Sequence, residues 1–473
     1  MNENEIKEKK KPSFIQSLTP LILIAIFLGL GYGVLRLKAE ILLIASALVT
    51  GLIAVHLGYS YKEIEEGIIS SMMKGMPAML IVIVVGALIG SWIAAGTIPM
   101  LVFYGIKIIS PKLFLVTTCI VCSVISVVTG TSYGTIGTVG VAFIGIAHGL
   151  GIPLGQAAGA IVAGAYFGDK VSPFSDTTNL APIAARSNLF DHIKHMLWTT
   201  TPAWLIGLAV YFLLGLGSHG SGEVSLAKAE LIMDTIQKHF TFHWLLLLPA
   251  VITLYSAIRK KPVIPCMFLS AGVAAILSIF IQGLDLNTAI QSMVTGFESH
   301  TGLDILDKLL TRGGMVDMMH VTLIAFCAFA FGGIVQKAGM LDVLLDRLLK
   351  IANTTGKLIS ATVASSIATA LMTGSSFLSI LIPGELFAPA YRKHNLAAKN
   401  LSRTTEDSGT VVVPLIPWSI AGVFVSGTLH VEVLSYLPWA IMCYTGFIFA
   451  LVYGFTGFAI AKRIREDETT PGS

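Results

Sequence analysis

Charged side chains are scarce in this chain. Asp, Glu, Lys and Arg make up 12% of its 473 residues while 54% are hydrophobic, against a charged share of about 25% in an average soluble domain. The sign imbalance is slight, 31 Lys and Arg against 27 Asp and Glu, which excludes the basic surface that nucleic acid would require. Cysteine is sparse too: Cys119, Cys122, Cys266, Cys327 and Cys443 stand in apolar surroundings without metal spacing, so neither a disulfide framework nor a zinc site is expected. No H-E-x-x-H helix occurs, and the G-x-G-D element of intramembrane aspartyl proteases is incomplete, because Tyr166-Phe167-Gly168 precedes Asp169. An enzyme and a cofactor are therefore not expected. The Lys-rich N-terminus leads into TPLILIAIFLGLGYGVLRL, which lacks a small-residue cleavage pattern after a short core and reads as a first span, not a signal peptide.

What the chain has instead is apolar runs, each long enough for a bilayer crossing of roughly 20 residues. The fold class expected is an all-α polytopic membrane protein with the lipid bilayer as its surroundings. Basic clusters at Lys7 to Lys11, at Arg186 and Lys194, at Arg259-Lys260-Lys261 and at Lys462-Arg463-Arg465 are assigned to the cytoplasm by the positive-inside bias. Five units follow: a cytoplasmic tail over 1–18, a first repeat over 19–217, an extracytoplasmic linker over 218–242, a second repeat over 243–461 and a cytoplasmic tail over 462–473. The two halves share landmarks in the same order: Ala-Gly at 95–96 and 338–339, a Ser/Thr-dotted apolar run, Thr129-Gly130-Thr131-Ser132 against Thr373-Gly374-Ser375-Ser376, and Gly168 to Pro173 against Gly409 to Pro414. One half starts inside and ends outside, the other the reverse, so the repeats are inverted. Each half is expected to hold about five spans and a re-entrant hairpin. The first has spans near 20–36, 41–57, 76–96, 155–185 and 197–217 with its hairpin near 112–149; the second has spans near 243–258, 263–282, 316–337, 395–427 and 433–461 with its hairpin near 356–391. Inverted repeats with discontinuous helices at the midplane are the pattern of secondary transporters.

Polar insertions locate the discontinuities. Backbone freed from helix bonding is tolerated at membrane depth only where protein buries it or a cavity hydrates it. The insertions are Thr129 to Thr135, Thr373 to Ser376, GDKVSPFSDTTN over 168–179 and RTTEDSGT over 403–410. They carry Asp169, Lys170, Asp176, Arg403, Glu406 and Asp407, and a charge at a span's centre costs ~2.5 to 3.5 kcal/mol on insertion scales. A carboxylate in a partly dehydrated cavity can hold either a proton or a metal cation. The candidate ion and proton ligands are Asp169, Asp176, Asp407, Glu406, Thr131, Ser132, Thr177, Asn179, Ser375, Ser376, Ser408 and Thr410, with Na+ at Asp169, Asp176 and Asp407. Glu406 and Asp407 are adjacent, so on a helix they diverge; Asp407 is assigned to the site and Glu406 to solvent or a partner. Asn179 also suits a helix cap. Lys170 and Arg403 either neutralise neighbouring carboxylates or grip an organic anion. Glu385 and His148 read as interfacial or surface residues, and Asp317 with His320, one turn apart, as either an interface pair or a proton access point. A channel would need such hydroxyl rings from several symmetry-related units, and the titratable acids argue for alternating access instead.

At these residues the chain resembles a known family. GTSYGTIGTVG, AGAIVAGAYFGDKVSPFSDTTNLAP and TEDSGTVVVPLIPW are similar to the NhaC-type Na+/H+ antiporters of bacteria, within the ion-transporter superfamily, and the likeness runs over essentially the whole chain. The resemblance implies exchange of cytoplasmic Na+ for external H+ across the bacterial inner membrane, no cofactor, and a homodimer. It also implies that the Gly168 to Asn179 and Glu406-Asp407-Ser408 motifs hold the ion and proton sites. One branch of the family exchanges malate plus protons for lactate plus Na+, and Lys170 and Arg403 keep that alternative open.

Overall fold

A computed structural model describes residues 9–463 apart from Gly33, Arg36, 218–221 and Lys260, with backbone alone for 222–229, 257 and 305. Of the lysines in the stretch Lys7 to Lys11 only Lys7, and of the C-terminal tail residues 464–473 with Arg465, thus lie outside the described residues. Among those residues there is no strand; two isolated bridges, Phe297 with Arg312 and Leu396 with Lys462, are the only extended pairings. Seven helices are long and apolar enough to cross a membrane: Phe14–Tyr32, Ala39–His56, Tyr61–Ala94, Pro111–Thr129, Leu189–Gly217, Val263–Gln282 and Asp317–Lys337. Three bent helix pairs raise the number to ten if each is one span: Glu230–His239 with Trp244–Ser256, Ala398–Leu415 with Ile420–Leu429, and Val433–Trp439 with Ile441–Thr456.

Lipid offers apolar side chains no reason to hide, and the outer faces show it. Ile44, Leu48, Leu52 and Val55, at helical spacing on Ala39–His56, are all exposed. Helices associate in such a medium by close contact between small residues. The Leu154–Val171 helix accordingly lays Gly164 and Gly168 against the Phe114–Thr129 helix, where a Cβ would lie 2.4 Å from the Cys119 carbonyl oxygen and 2.5 Å from that of Ser123.

One expected boundary is corrected, and two stretches between the expected spans hold helices. The span read near 76–96 begins at Tyr61, because Ser60 and Glu63 form a capping box that starts a single 34-residue helix. The stretch 218–242 contains the Gly222–His239 helix, with Ile232 and Ile236 buried. Residues 283–315, between the expected spans 263–282 and 316–337, hold the Leu286–Val294 helix, capped by Asp285, and the Asp304–Leu310 helix. The Asp307 carboxylate accepts from Ser299 Oγ, Thr301 Oγ1 and the backbone N–H groups of Thr301 and Gly302, which fixes this loop.

The same succession of local features occurs twice. A helix starts at a left-handed glycine, Gly96 (φ 84°) or Gly339 (φ 67°). The next long helix, Phe114–Thr129 or Thr355–Thr373, ends at left-handed Gly130 (φ 69°) or Gly374 (φ 64°), and Thr131 or Ser375 caps the return arm. After the broken segment, Ser175 or Ser419 caps a ten-residue helix that ends in a left-handed residue with a side chain, Arg186 (φ 61°) or His430 (φ 54°). Each hairpin tip touches the break that follows it: a Cβ on Gly130 would lie 2.7 Å from Phe174 Cβ, and one on Gly374 3.3 Å from Ser419 Cα. Replacing Gly130 by Ala should therefore cost about 1–3 kcal/mol, from the positive φ and the contact together, read as a lowered unfolding midpoint in detergent. Gly272→Ala, where a Cβ meets nothing within 4 Å, is the control and should leave the midpoint unchanged or raised.

Candidate functional site

Most polar residues of the first break serve its own backbone. Thr178 Oγ1 donates to the carbonyl oxygens of Asp169 (3.0 Å) and Lys170 (2.9 Å), in the last turn of the Leu154–Val171 helix, where carbonyls lack regular helix donors. Asn179 Nδ2 donates to Pro173 O (2.9 Å) and Ser175 O (2.7 Å), so Asn179 acts as a brace for the break. Ser172 Oγ ties the break to Val127 O at 2.7 Å, and Ser126 Oγ ties the helix to its neighbour through Ala165 O at 2.6 Å. With Asn179→Ala both bonds go and two carbonyls lose a donor, which should lower stability by about 1–3 kcal/mol; thermal unfolding measures it.

The second break begins in a π-helical turn, Glu406–Thr410, that continues the Ala398–Thr405 helix. Such turns recur at functional sites because the widened ring displaces side chains from the regular α-helical faces. Glu406, Asp407, Arg403 and Lys170 are all fully buried. Lys170 Nζ forms an ion pair with Asp407 Oδ1 across 237 positions of sequence, and Thr199 Oγ1 donates to the same oxygen at 3.0 Å. Arg403, one turn before Asp407, donates from Nη1 to Ala459 O at 2.9 Å and lies over the Tyr453 ring, 5.9 Å from its centroid. Its Nε and Nη2 have no hydrogen-bond partner.

Glu406 differs from its neighbour. Both its carboxylate oxygens are buried without a hydrogen bond, and so is the Thr410 hydroxyl one turn on. Among adjacent residues on one turn, Asp407 is thus the compensated carboxylate and Glu406 the uncompensated one, which reverses the expectation that Glu406 turns to solvent or a partner. Asp169, in contrast, is held: its Oδ2 accepts from Ser132 Oγ at 2.7 Å, so the hairpin tip reaches the first break.

The remaining candidates divide. Thr131 and Ser375 are helix caps, accepting from Gly134 N and Leu378 N. Ser376 follows as the first residue of its helix and is half-buried. Ser408 Oγ donates to Thr404 O at 2.6 Å, within its own helix. Thr177 is buried beside Ser175, their hydroxyl oxygens 3.1 Å apart. Asp176 is exposed in the first turn of its helix, where a negative charge is favourable for the helix dipole. Among the described residues no three His, Cys, Asp or Glu side chains gather as a metal centre would require, so Asp169, Asp176 and Asp407 do not converge on one point. Away from the breaks, Glu385 and His320 are exposed, His148 is half-buried with Nδ1 unpaired, and the partner of Asp317 is His430, at 3.5 Å.

Three contributors escaped the reading of the sequence. Thr199, in the run Thr199-Thr200-Thr201-Pro202, bonds Asp407; the run of hydroxyls inside an apolar helix was the signal available. His192 Nδ1 lies 2.9 Å from Ser402 Oγ and His195 Nε2 lies 3.0 Å from Asn400 Oδ1, so both clamp the Leu189–Gly217 helix to the helix that carries Glu406.

The buried set contains three carboxylates, Asp169, Glu406 and Asp407, and two permanent or paired cations, Lys170 and Arg403. Fully ionised, it carries one uncompensated negative charge. Burying such a charge without a partner is costly, and protonation or a bound cation removes the cost.

The model of the Na+/H+ antiporter family matches residues 164–458, which include both breaks. A protein of Haemophilus influenzae described as an uncharacterized Na+/H+ antiporter is 45% identical over 458 residues, covering 96% of this chain and 98% of the relative. The Na+/H+ antiporter NhaC of Alkalihalophilus pseudofirmus is 37% identical, with 91% and 92% covered. The malate-2H+/Na+-lactate antiporter of Bacillus subtilis is 35% identical, with 96% of each chain covered.

Proposed function

Because the chain belongs to the Na+/H+ antiporter family, we propose that it is a secondary transporter that exports cytoplasmic Na+ in exchange for H+ at the buried carboxylates between its two broken helices. The observation that carries this reading is the single uncompensated negative charge of the buried set, centred on Glu406. One Na+ or one proton neutralises it, and the two exclude each other. Glu406 and Asp169 take the titrating roles, with the free Thr410 hydroxyl, Thr177 and Ser132 supplying neutral oxygens. Lys170 with Asp407 is the structural tie between the halves. Asp176 is exposed beside the break.

Inverted repeats suit this activity, and the matching succession of left-handed glycines, hydroxyl caps and breaks in the two halves supports them. In such a frame the site faces one side of the membrane at a time. The positive-inside bias of the basic clusters supports a reading with both termini in the cytoplasm and the chain in the bacterial inner membrane. The organic-acid alternative needs a free cation for the carboxylate, and the pairing of Lys170 with Asp407 speaks against Lys170 in that part.

Purified protein in liposomes containing a pH-sensitive dye tests the proposal. Added Na+ should drive proton movement with no organic acid present. Flux that appears only with malate on one side and lactate on the other would replace this reading with substrate-product exchange.

A further inference from the structure

Beyond the carboxylates, at the start of the helix that carries Glu406, lies a cavity of about 450 Å³. Its lining is strongly one-signed: Arg186, Arg392, Lys399, Lys462 and Arg463 against a single acid, Asp191. Among the described residues none of the five cations forms an ion pair, and none donates a side-chain hydrogen bond. The five come from four separate segments, which the Leu396 to Lys462 bridge and the bond from Arg463 N to Asn395 O hold together. A topological excess of Lys and Arg would be satisfied by cations spread over open loops; here they line one concavity, over a floor that includes Tyr391 and Leu401.

The Ala398–Thr405 helix begins at this cavity, and its N-cap, Ala397, offers no side-chain acceptor to the first turn. Free backbone N–H groups and the positive end of the helix dipole add to the field of the side chains. Three arginines present planar forks suited to a tetrahedral oxyanion, bonded two donors at a time. The volume is in the range of small-molecule sites, about 300–1,000 Å³, and well beyond what a chloride ion fills. Beside Arg186 the chain exposes Ile183 (71%) and Phe190 (65%), apolar side chains of the kind that meet lipid.

We propose that this cavity is a binding site for a phosphate-bearing anion. An acidic phospholipid headgroup and free phosphate share the chemistry. The inference concerns the cavity alone and does not rest on which ion the protein transports.

The test uses the full chain, purified in detergent and delipidated, with three probes: phosphatidylglycerol, phosphatidylcholine and inorganic phosphate. Binding is read by native mass spectrometry for the lipids and by the shift in thermal unfolding midpoint for all three. Phosphatidylglycerol should bind at least tenfold more tightly than phosphatidylcholine, and Arg186→Gln with Arg392→Gln should remove that preference. Arg347→Gln with Lys350→Gln, which takes the same charge from the Met340–Lys350 helix, should keep it. If inorganic phosphate alone raises the midpoint in the wild type and not in the cavity variant, the site is confirmed with free phosphate as its source. Lys462→Gln with Arg463→Gln is a second cavity variant, and comparison of unfolding midpoints without probe separates lost binding from lost folding. Equal binding of every probe to wild type and both cavity variants, or equal losses in cavity and control variants, overturns the proposal.

Discussion

Replacing Glu406 by Gln is expected to reduce Na+-dependent proton movement to below a hundredth of the wild-type rate while leaving the protein folded. The side chain keeps its shape, so packing in the π-helical turn is preserved; what disappears is, among the described residues, the one buried carboxylate with no hydrogen bond or ion pair on either oxygen. Without it the remaining buried charges, Asp169 and Asp407 against Lys170 and Arg403, cancel, and the site has no electrostatic reason to take up Na+ or to release a proton on its arrival. The same change removes an uncompensated charge from a dry interior, so the thermal unfolding midpoint should stay level or rise. Asp169→Asn should also suppress exchange, with a weaker effect on stability, because Ser132 can still bond the amide oxygen. Full exchange in the Glu406→Gln protein would remove Glu406 from the mechanism.

The second large effect is on folding. Lys170→Met leaves Asp407 buried with only the Thr199 hydroxyl bonded to it, and breaking a buried pair from one side costs about 3–5 kcal/mol. A drop of that size should appear as a much lower unfolding midpoint and poor yield of folded protein in the membrane. The double variant Lys170→Met with Asp407→Leu removes both charges together. It should regain most of the lost stability, since apolar replacement of a buried pair is often neutral, and it leaves the net charge of the buried set at one negative. Exchange should therefore persist in the double variant within about tenfold of wild type, a fold-change of about 1.4 kcal/mol. A stable double variant with no exchange would instead make Asp407 itself an ion ligand.

Much of the scaffold was legible in the sequence because membrane folding writes its constraints in composition. The positions of three breaks followed from hydroxyls, glycines and charges where a spanning helix tolerates them poorly: Thr129 to Thr135, 168–179 and Thr373 to Ser376 are where helices turn or stop, whereas 403–410 stays helical and its helix breaks only after Thr410. Asn179 and Thr178 lie within nine positions of the backbone they serve, so a local reading reaches them. The pairing of Lys170 with Asp407 and the bond from Thr199 span more than 200 positions, and nothing local announces which of several buried cations meets which acid. The roles of Glu406 and Asp407 depend on a π-helical turn, whose altered ring size redirects adjacent side chains in a way that helical spacing does not express. The amphipathic start of the Tyr61–Ala94 helix was missed for a different reason: Lys62, Glu63, Glu65 and Glu66 look like the end of a span, yet a capping box and the contact of Gly67 with Gly333 carry the helix through them.

The most direct test of competition at one buried charge is the apparent KM for Na+ in proteoliposomes, measured from pH 6 to pH 9 on the side from which Na+ is added. Where the site is mostly protonated, each fall of one pH unit should raise the apparent KM up to tenfold, with the maximal rate at saturating Na+ much less affected. An apparent KM that stays constant while only the maximal rate changes with pH would contradict a shared site and place the proton-carrying group away from the Na+ ligands.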